Sequence, residues 1–163
     1  MNTLSKIFVI SSLALVLSMA SHAAFAASEV SNSTANALLQ QHQEYAAINS
    51  TMQTMMSAFE QGSAETAFKV IKKDTVVVGY SGKQQKILNI SGEEWAKGFQ
   101  PAPDEDKRHR QYQILDITDT GAVVKVMLDY PQWQGVDYLA MTKIDGQWRV
   151  VSKSWSGTRK ETK

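Results

Sequence analysis

The chain has no cysteine. That excludes disulfides and lipidation at a cysteine, so an exported domain of this sequence must draw its stability from a hydrophobic core. Proline is scarce: three in 163 residues, the first of them Pro101. An excess of either charge is missing as well. The 17 basic residues meet 16 acidic ones, for a formal net charge of +1, and the two signs are interspersed. Nucleic-acid binders gather a basic excess on one face, so nucleic acid is not an expected partner. Histidine is limited to three positions, with only His42 and His109 beyond the first 26 residues. Without cysteine, that leaves too few ligands for a dedicated zinc or iron site, and no metal or cofactor is expected. There is no Ser-His-Asp spacing, no glycine-rich phosphate loop and no redox cysteine pair.

What the chain does have begins with an export signal. Lys6 supplies a positive start, Ile7 to Met19 is apolar apart from a few serines, and Ala24-Phe25-Ala26 forms a small-residue cleavage site. This pattern reads residues 1–26 as a signal peptide, and places the mature protein in the periplasm or outside the cell. No later segment approaches the roughly 20 apolar residues of a membrane span. Residues 27–36 are small and polar, a flexible leader. Residues 37–157 form one domain, long enough for one core, and 158–163 are a polar tail.

Leu38, His42, Tyr45, Ile48, Met52, Met55 and Phe59 recur at steps of three and four. They predict one face of a helix of about six turns. Gly62 fits the position just past the helix end. Ser63 can cap a short second helix running through Phe68 and Ile71. Thr75 to Tyr80 is β-branched and aromatic, and Ile87 to Ile90 is a second short strand. Ser91-Gly-Glu-Glu94 matches a capping box, with Trp95 and Phe99 four apart on the helix that follows. Long strands occupy the last third. Arg110 to Thr118 and Ala122 to Tyr130 flank a turn, and a turn at Thr120-Gly121 would set Asp116 opposite Lys125. Leu115, Ile117, Val124, Val126 and Leu128 would then share the core face.

Asp145-Gly146 joins the final two strands. The pair tolerates positive φ, as a two-residue hairpin turn requires. A turn of that length sets Ile144 against Gln147, Met141 against Val150, Leu139 against Ser152 and Asp137 against Ser154. One face then carries Asp137, Leu139, Met141, Trp148, Val150, Ser152 and Ser154: an apolar floor with a small polar group at its end, the usual build of a ligand pocket. The other face carries Tyr138, Ala140, Val151, Lys153 and Trp155. Its apolar members (Tyr138, Val151, Trp155) suggest a homodimer through the outer sheet face.

The order of elements is α+β. It resembles the cone of the nuclear transport factor 2-like (SnoaL-like) superfamily, and most closely its lumazine-binding branch. The resemblance rests on Phe59 to Ala64, Ile90 to Trp95, Ile114 to Ile117, Ala122 to Val126, and above all Asp137 to Leu139 with Lys143 to Lys153. It implies a long N-terminal helix and short helices packed on a curved antiparallel sheet, with a cavity between the first helix and the inner sheet face. Relatives on this fold include isomerases, dehydratases and hydrolases.

These readings converge on a domain that binds a small apolar or planar molecule. Its expected ligand-binding residues are Asp137, Ser152, Ser154, Tyr45, Trp133 and His42. Asp137 would accept hydrogen bonds from the ligand, and Trp133, in a loop between Pro131 and Gly135, would stack on it. An alternative is a cofactor-free lyase or isomerase, with Asp137 as general base and Tyr45 or His42 as proton donor. A third reading is a dimeric interaction module whose cavity is filled by its own side chains.

Overall fold

Between Ser11 and Gln61 there is neither glycine nor proline. Nothing in that stretch removes an amide donor or loosens the backbone, and it forms one helix, α1 (Ser11–Gln61). The computed structural model describes residues 11–82 and 84–161, with side chains from Asn32 onward. The first ten residues of the expected signal lie outside the described residues. The segment 27–36, read from composition as a loose leader, is helical here because no breaker interrupts it. The chain divides into two compact units, Met1–His42 and Gln43–Lys163. The first is described only by its helix, on which Leu38 and Leu39 are exposed. Among the described residues no helix is long and apolar enough to cross a membrane.

The second unit holds the sheet. Gly62, with φ +59°, stops α1. The Ser63 amide then donates to the Ala58 carbonyl and the Gly62 amide to that of Phe59, which satisfies two of the open carbonyls of the last turn. The Ser63 hydroxyl accepts from the Thr66 amide at 3.1 Å and caps α2 (Ala64–Ala67). That helix is shorter than expected, because Ile71 already opens a strand. The strands are β1 (Ile71–Ser81), β2 (Lys86–Ser91), β3 (His109–Ile117), β4 (Gly121–Tyr130), β5 (Trp133–Ile144) and β6 (Gln147–Arg159). After β2, Ser91 and Glu94 form the reciprocal capping box of α3 (Gly92–Ala96). β6 extends into the expected polar tail, and the Lys160 amide donates to the Gln132 carbonyl.

The six strands lie in the order β2-β1-β6-β5-β4-β3, an open sheet. All neighbours are antiparallel except β1 and β6. One face is covered by the part of α1 from Gln43 onward and by the short helices. Ile48, Met52, Met55 and Ala58 from α1 are fully buried with Val124, Val126, Leu139 and Val150. Each large apolar side chain so buried contributes about 1.5–3 kcal/mol. Glu44 anchors the earlier part of this helix segment: it pairs with Lys143 and accepts from the Trp148 indole at 2.8 Å, which holds its carboxyl below the usual range. The expected apolar stripe is therefore only half used, since Tyr45 and His42 are exposed.

Two bulges correct the expected registers. Asp145 and Gly146 both have positive φ, and the hairpin starts in the predicted register, with Ile144 opposite Gln147 and Met141 opposite Val150. β6 then carries one extra residue, Val151. Beyond it Ser152 pairs with Ala140, Lys153 with Leu139, Ser154 with Tyr138 and Trp155 with Asp137. Alternation has a period of two, so a single inserted residue exchanges the faces of everything after it. Lys153 and Trp155 turn to the concave side with Asp137 and Leu139, while Ser152 and Ser154 turn outward with Ala140 and Tyr138. The outer row expected to include Trp155 thus lacks it. A second bulge, at Leu115, pairs Asp116 with Val123 and leaves Leu115 exposed rather than in the core.

Candidate active site

Asp137 and Lys153 are diagonal neighbours on the concave face of β5 and β6, a spacing that a long side chain can span. The Lys153 Nζ lies 2.7 Å from the Asp137 Oδ2. Both groups are buried, Asp137 at 1% exposure and Lys153 at 8%. Burial pushes the Asp137 carboxyl up from its usual value, and the charge on Lys153 works against that. Burial likewise pushes the Lys153 ammonium down, with Asp137 opposing. Burial thus favours the neutral form of each group, while the charge of each holds the other ionised. The second carboxylate oxygen, Asp137 Oδ1, is buried and has no hydrogen-bond partner among the described residues.

The pair opens into a cavity of about 230 Å³. One wall is aromatic. Phe59 at the end of α1 stacks on Phe99 with ring centres 4.9 Å apart and planes within 11°. Trp95 of α3 meets Phe99 at 5.6 Å, and its ring lies 4.5 Å from the Lys153 Nζ. The capping box that sets the start of α3 therefore also places Trp95 over the ammonium, in cation–π contact.

A second part of the lining comes from β3, the residue before it and β4, and adjoins the aromatic part where the Arg110 guanidinium lies 5.6 Å from the Phe59 ring centre. Arg110 donates through Nε to the Tyr130 hydroxyl at 2.9 Å and closes a two-pronged pair on Glu105. Its desolvation opposes the charge, but Glu105 and Tyr130 outweigh it and hold the guanidinium protonated. Burial raises the Tyr130 hydroxyl, against the neighbouring arginines. Arg108, paired with Asp104 at 2.8 Å, lies 4.7 Å from the Tyr130 ring centre. Leu128, Gly98 and Gln100 complete the lining. Arg108, Arg110 and Lys153 face this space, each already paired with a carboxylate (Asp104, Glu105 and Asp137), so the lining is aromatic on one part and polar with matched charges on the other.

Of the residues expected to form a site, only Asp137 lines this cavity. Ser152 and Ser154 do not, because the Val151 bulge turns them to the convex face. Tyr45 is 47% exposed. It precedes Phe59 by roughly 20 Å of helix, toward the Glu44 anchor at the hairpin-turn end of the sheet. Tyr45 does not line the cavity that holds Asp137. His42 is exposed and belongs to the other unit. Trp133 lies across Gly135 and Gly157, where a Cβ would come within 2.1 Å of its ring, and contacts Tyr130 at 5.9 Å. It packs against Tyr130 at a tilt of 43° and does not line the cavity. Among the described residues no group of histidine and carboxylate side chains could hold a metal ion.

Arg110 and Tyr130 were missed, although a signal for them existed: Arg110, Tyr112 and Ile114 alternate along β3 as Leu128 and Tyr130 do along β4. Lys153 had no such signal, because its inward orientation depends on the bulge.

Residues 43–156 match the family model described as "Putative lumazine-binding". The chain is similar to the aldolase FrzH of Cladobotryum sp., at 31% identity over 112 residues, covering 68% of this chain and 88% of that protein. Among solved structures it is similar to an NTF2-like protein of unknown function from Shewanella baltica, with a TM-score of 0.60 at 19% identity over 71% of this chain and 94% of that one. A second NTF2-like protein of unknown function, from Silicibacter pomeroyi, superposes with a TM-score of 0.60 at 18% identity, covering 72% of this chain and 98% of the other.

Proposed function

The chain belongs to the family described as "Putative lumazine-binding", with the NTF2-like α+β fold, and on that premise we propose that it is an exported small-molecule-binding domain whose ligand occupies the cavity around Asp137. The observation that carries this reading is the Asp137 Oδ1, buried without a donor in an otherwise well-satisfied site. A buried unpaired acceptor costs about 1–3 kcal/mol, which a ligand N–H or O–H would recover. Aromatic walls at Phe59, Trp95 and Phe99 favour a planar body. A pteridine such as lumazine offers both a flat ring and N–H donors.

Titrating the fluorescence of lumazine should show saturable binding. Asp137→Asn keeps the size and removes the charge, so below its melting temperature it should lose about 1.5–3 kcal/mol, or on the order of tenfold to a hundredfold in affinity. Equal affinity in parent and variant would remove Asp137 from the site. Absence of lumazine binding, together with no retained small molecule in native mass spectrometry of protein from its own source, would remove the cavity reading and leave the interaction module.

Export rests on the signal-like segment 1–26. N-terminal sequencing of protein from the periplasmic or secreted fraction should begin at Ala27, and a protein still carrying Ile7 to Met19 would overturn it.

The likeness to an aldolase, and a buried carboxylate–amine pair facing a cavity, favour a second reading as a cofactor-free lyase. In that reading Asp137 is the base, and its proton donor is Lys153 rather than Tyr45 or His42.

A further inference from the structure

We propose that Lys153 is a nucleophile that forms an imine with a carbonyl compound held in the cavity, a 2-oxo acid or an aldehyde with an aromatic or apolar body. The inference rests on the cavity reading above and names its substrate class. Four observations carry it. Lys153 lines the cavity. Its Nζ is within hydrogen-bonding distance of a carboxylate that can take its proton. Its stem is buried on the concave sheet face, so the amine is held in place. The indole of Trp95 beneath it stabilises a cation at that nitrogen, as ammonium or as iminium.

Burial also lowers the proton affinity of this amine, which raises the fraction available for attack. Arg108 and Arg110, paired with Asp104 and Glu105 outside the lining, bring further N–H donors to the cavity, from which the carboxylate of a 2-oxo acid would accept. An aromatic body would lie against Phe59 and Phe99.

The step balances with these two residues. Lys153 gives a proton to Asp137 and becomes a free amine. The nitrogen lone pair forms a C–N bond to the carbonyl carbon while the C=O π electrons move to oxygen. A proton shift from nitrogen to that oxygen gives a neutral carbinolamine. Asp137 then protonates the hydroxyl, water leaves, and the nitrogen lone pair closes the C=N bond. The products are an iminium on Lys153, an ionised Asp137 and one water, with the starting charge conserved. The ionised carboxylate is left beside the carbon next to the iminium, placed to remove a proton there and generate an enamine.

Reductive trapping tests this directly. The intact full chain is incubated with phenylpyruvate, benzaldehyde or acetaldehyde, reduced with borohydride, and digested for peptide mass spectrometry. The expected result is a dominant single adduct on Lys153, while the exposed lysines of the same chain stay largely unmodified and serve as the internal control. Phenyllactate, which has the ring and carboxylate but no carbonyl, should protect Lys153 from the other three. Lys153→Met should abolish the adduct, and because the mapping is made on the parent chain the result stands even if that variant folds poorly. No adduct with any of the three probes, or adducts scattered over exposed lysines without preference for Lys153, would overturn the proposal. If lumazine still titrates in that case, the covalent step falls alone and the binding reading stands. If lumazine fails as well and no retained ligand is found, both fall.

Discussion

Asp137→Ala should destabilise the protein by about 3–5 kcal/mol, the range for removing one partner of a buried ion pair. The substitution leaves the Lys153 nitrogen in a site closed on one side by Trp95 and on the other by the sheet. Coulomb attraction to Asp137 is what opposes its desolvation, and nothing else in the lining carries negative charge. The variant should also show a changed pH dependence. A lysine whose folded pKa lies below its unfolded value binds fewer protons when folded, so stability rises with pH across the interval between the two. Without Asp137 that interval widens, and the variant's melting temperature should climb toward alkaline pH more steeply than the parent's. Asp137→Leu combined with Lys153→Met removes both charges and should recover most of the loss. Urea unfolding of the three proteins, repeated at several pH values, checks the set. A single variant within 1 kcal/mol of the parent, or a double variant worse than the single, would show that the pair is not desolvated in solution.

Gly62→Ala is the second large effect, and its cause is entirely backbone. Gly62 has a φ of +59°, which costs a residue with a Cβ about 1–2 kcal/mol. The added carbon would also lie 2.1 Å from the carbonyl carbon of Gln100 and 2.1 Å from the nitrogen of Pro101. Neither is a side-chain end that can swing away, so overpacking adds about 1–3 kcal/mol. The expected loss is about 2–5 kcal/mol. Phe99 and Gln100 line the cavity next to the displaced segment, so lumazine affinity should fall as well. Gly146→Ala is the control. Gly146 has a φ of +76° but open space around its Cβ position, so it should lose only the conformational part. Denaturant midpoints for both variants decide the matter: equal losses would mean that the 100–101 segment moves aside freely.

Local chemistry was readable wherever one residue settles one backbone state. Gly62 ends α1, Ser63 and Ser91 cap α2 and α3, and Asp145-Gly146 closes the β5–β6 hairpin, all within a few residues of the deciding side chain. The apolar alternation of Val124, Val126 and Leu128 marked the core face of β4, and the order of elements marked the NTF2-like fold. These signals are short-range, or repeat often enough to survive local error.

Where a side chain points after a bulge is a different kind of information. Val151 and Leu115 look like ordinary strand residues, and nothing beside them announces an unpaired position. Each bulge is set by how a curved, twisted sheet fits against α1 and its neighbouring strands, a condition spread over residues distant in the chain. The same holds for α1, where a continuous stripe is buried at Ile48, Met52 and Met55 but exposed at Tyr45. The order of elements, the caps at Ser63 and Ser91, the Asp145-Gly146 turn and Asp137 on an apolar strand could all be read along the chain. That Lys153, not Ser152 or Ser154, is the partner of Asp137 came from packing. A one-residue change of register costs no local propensity, yet it reverses which side chains meet.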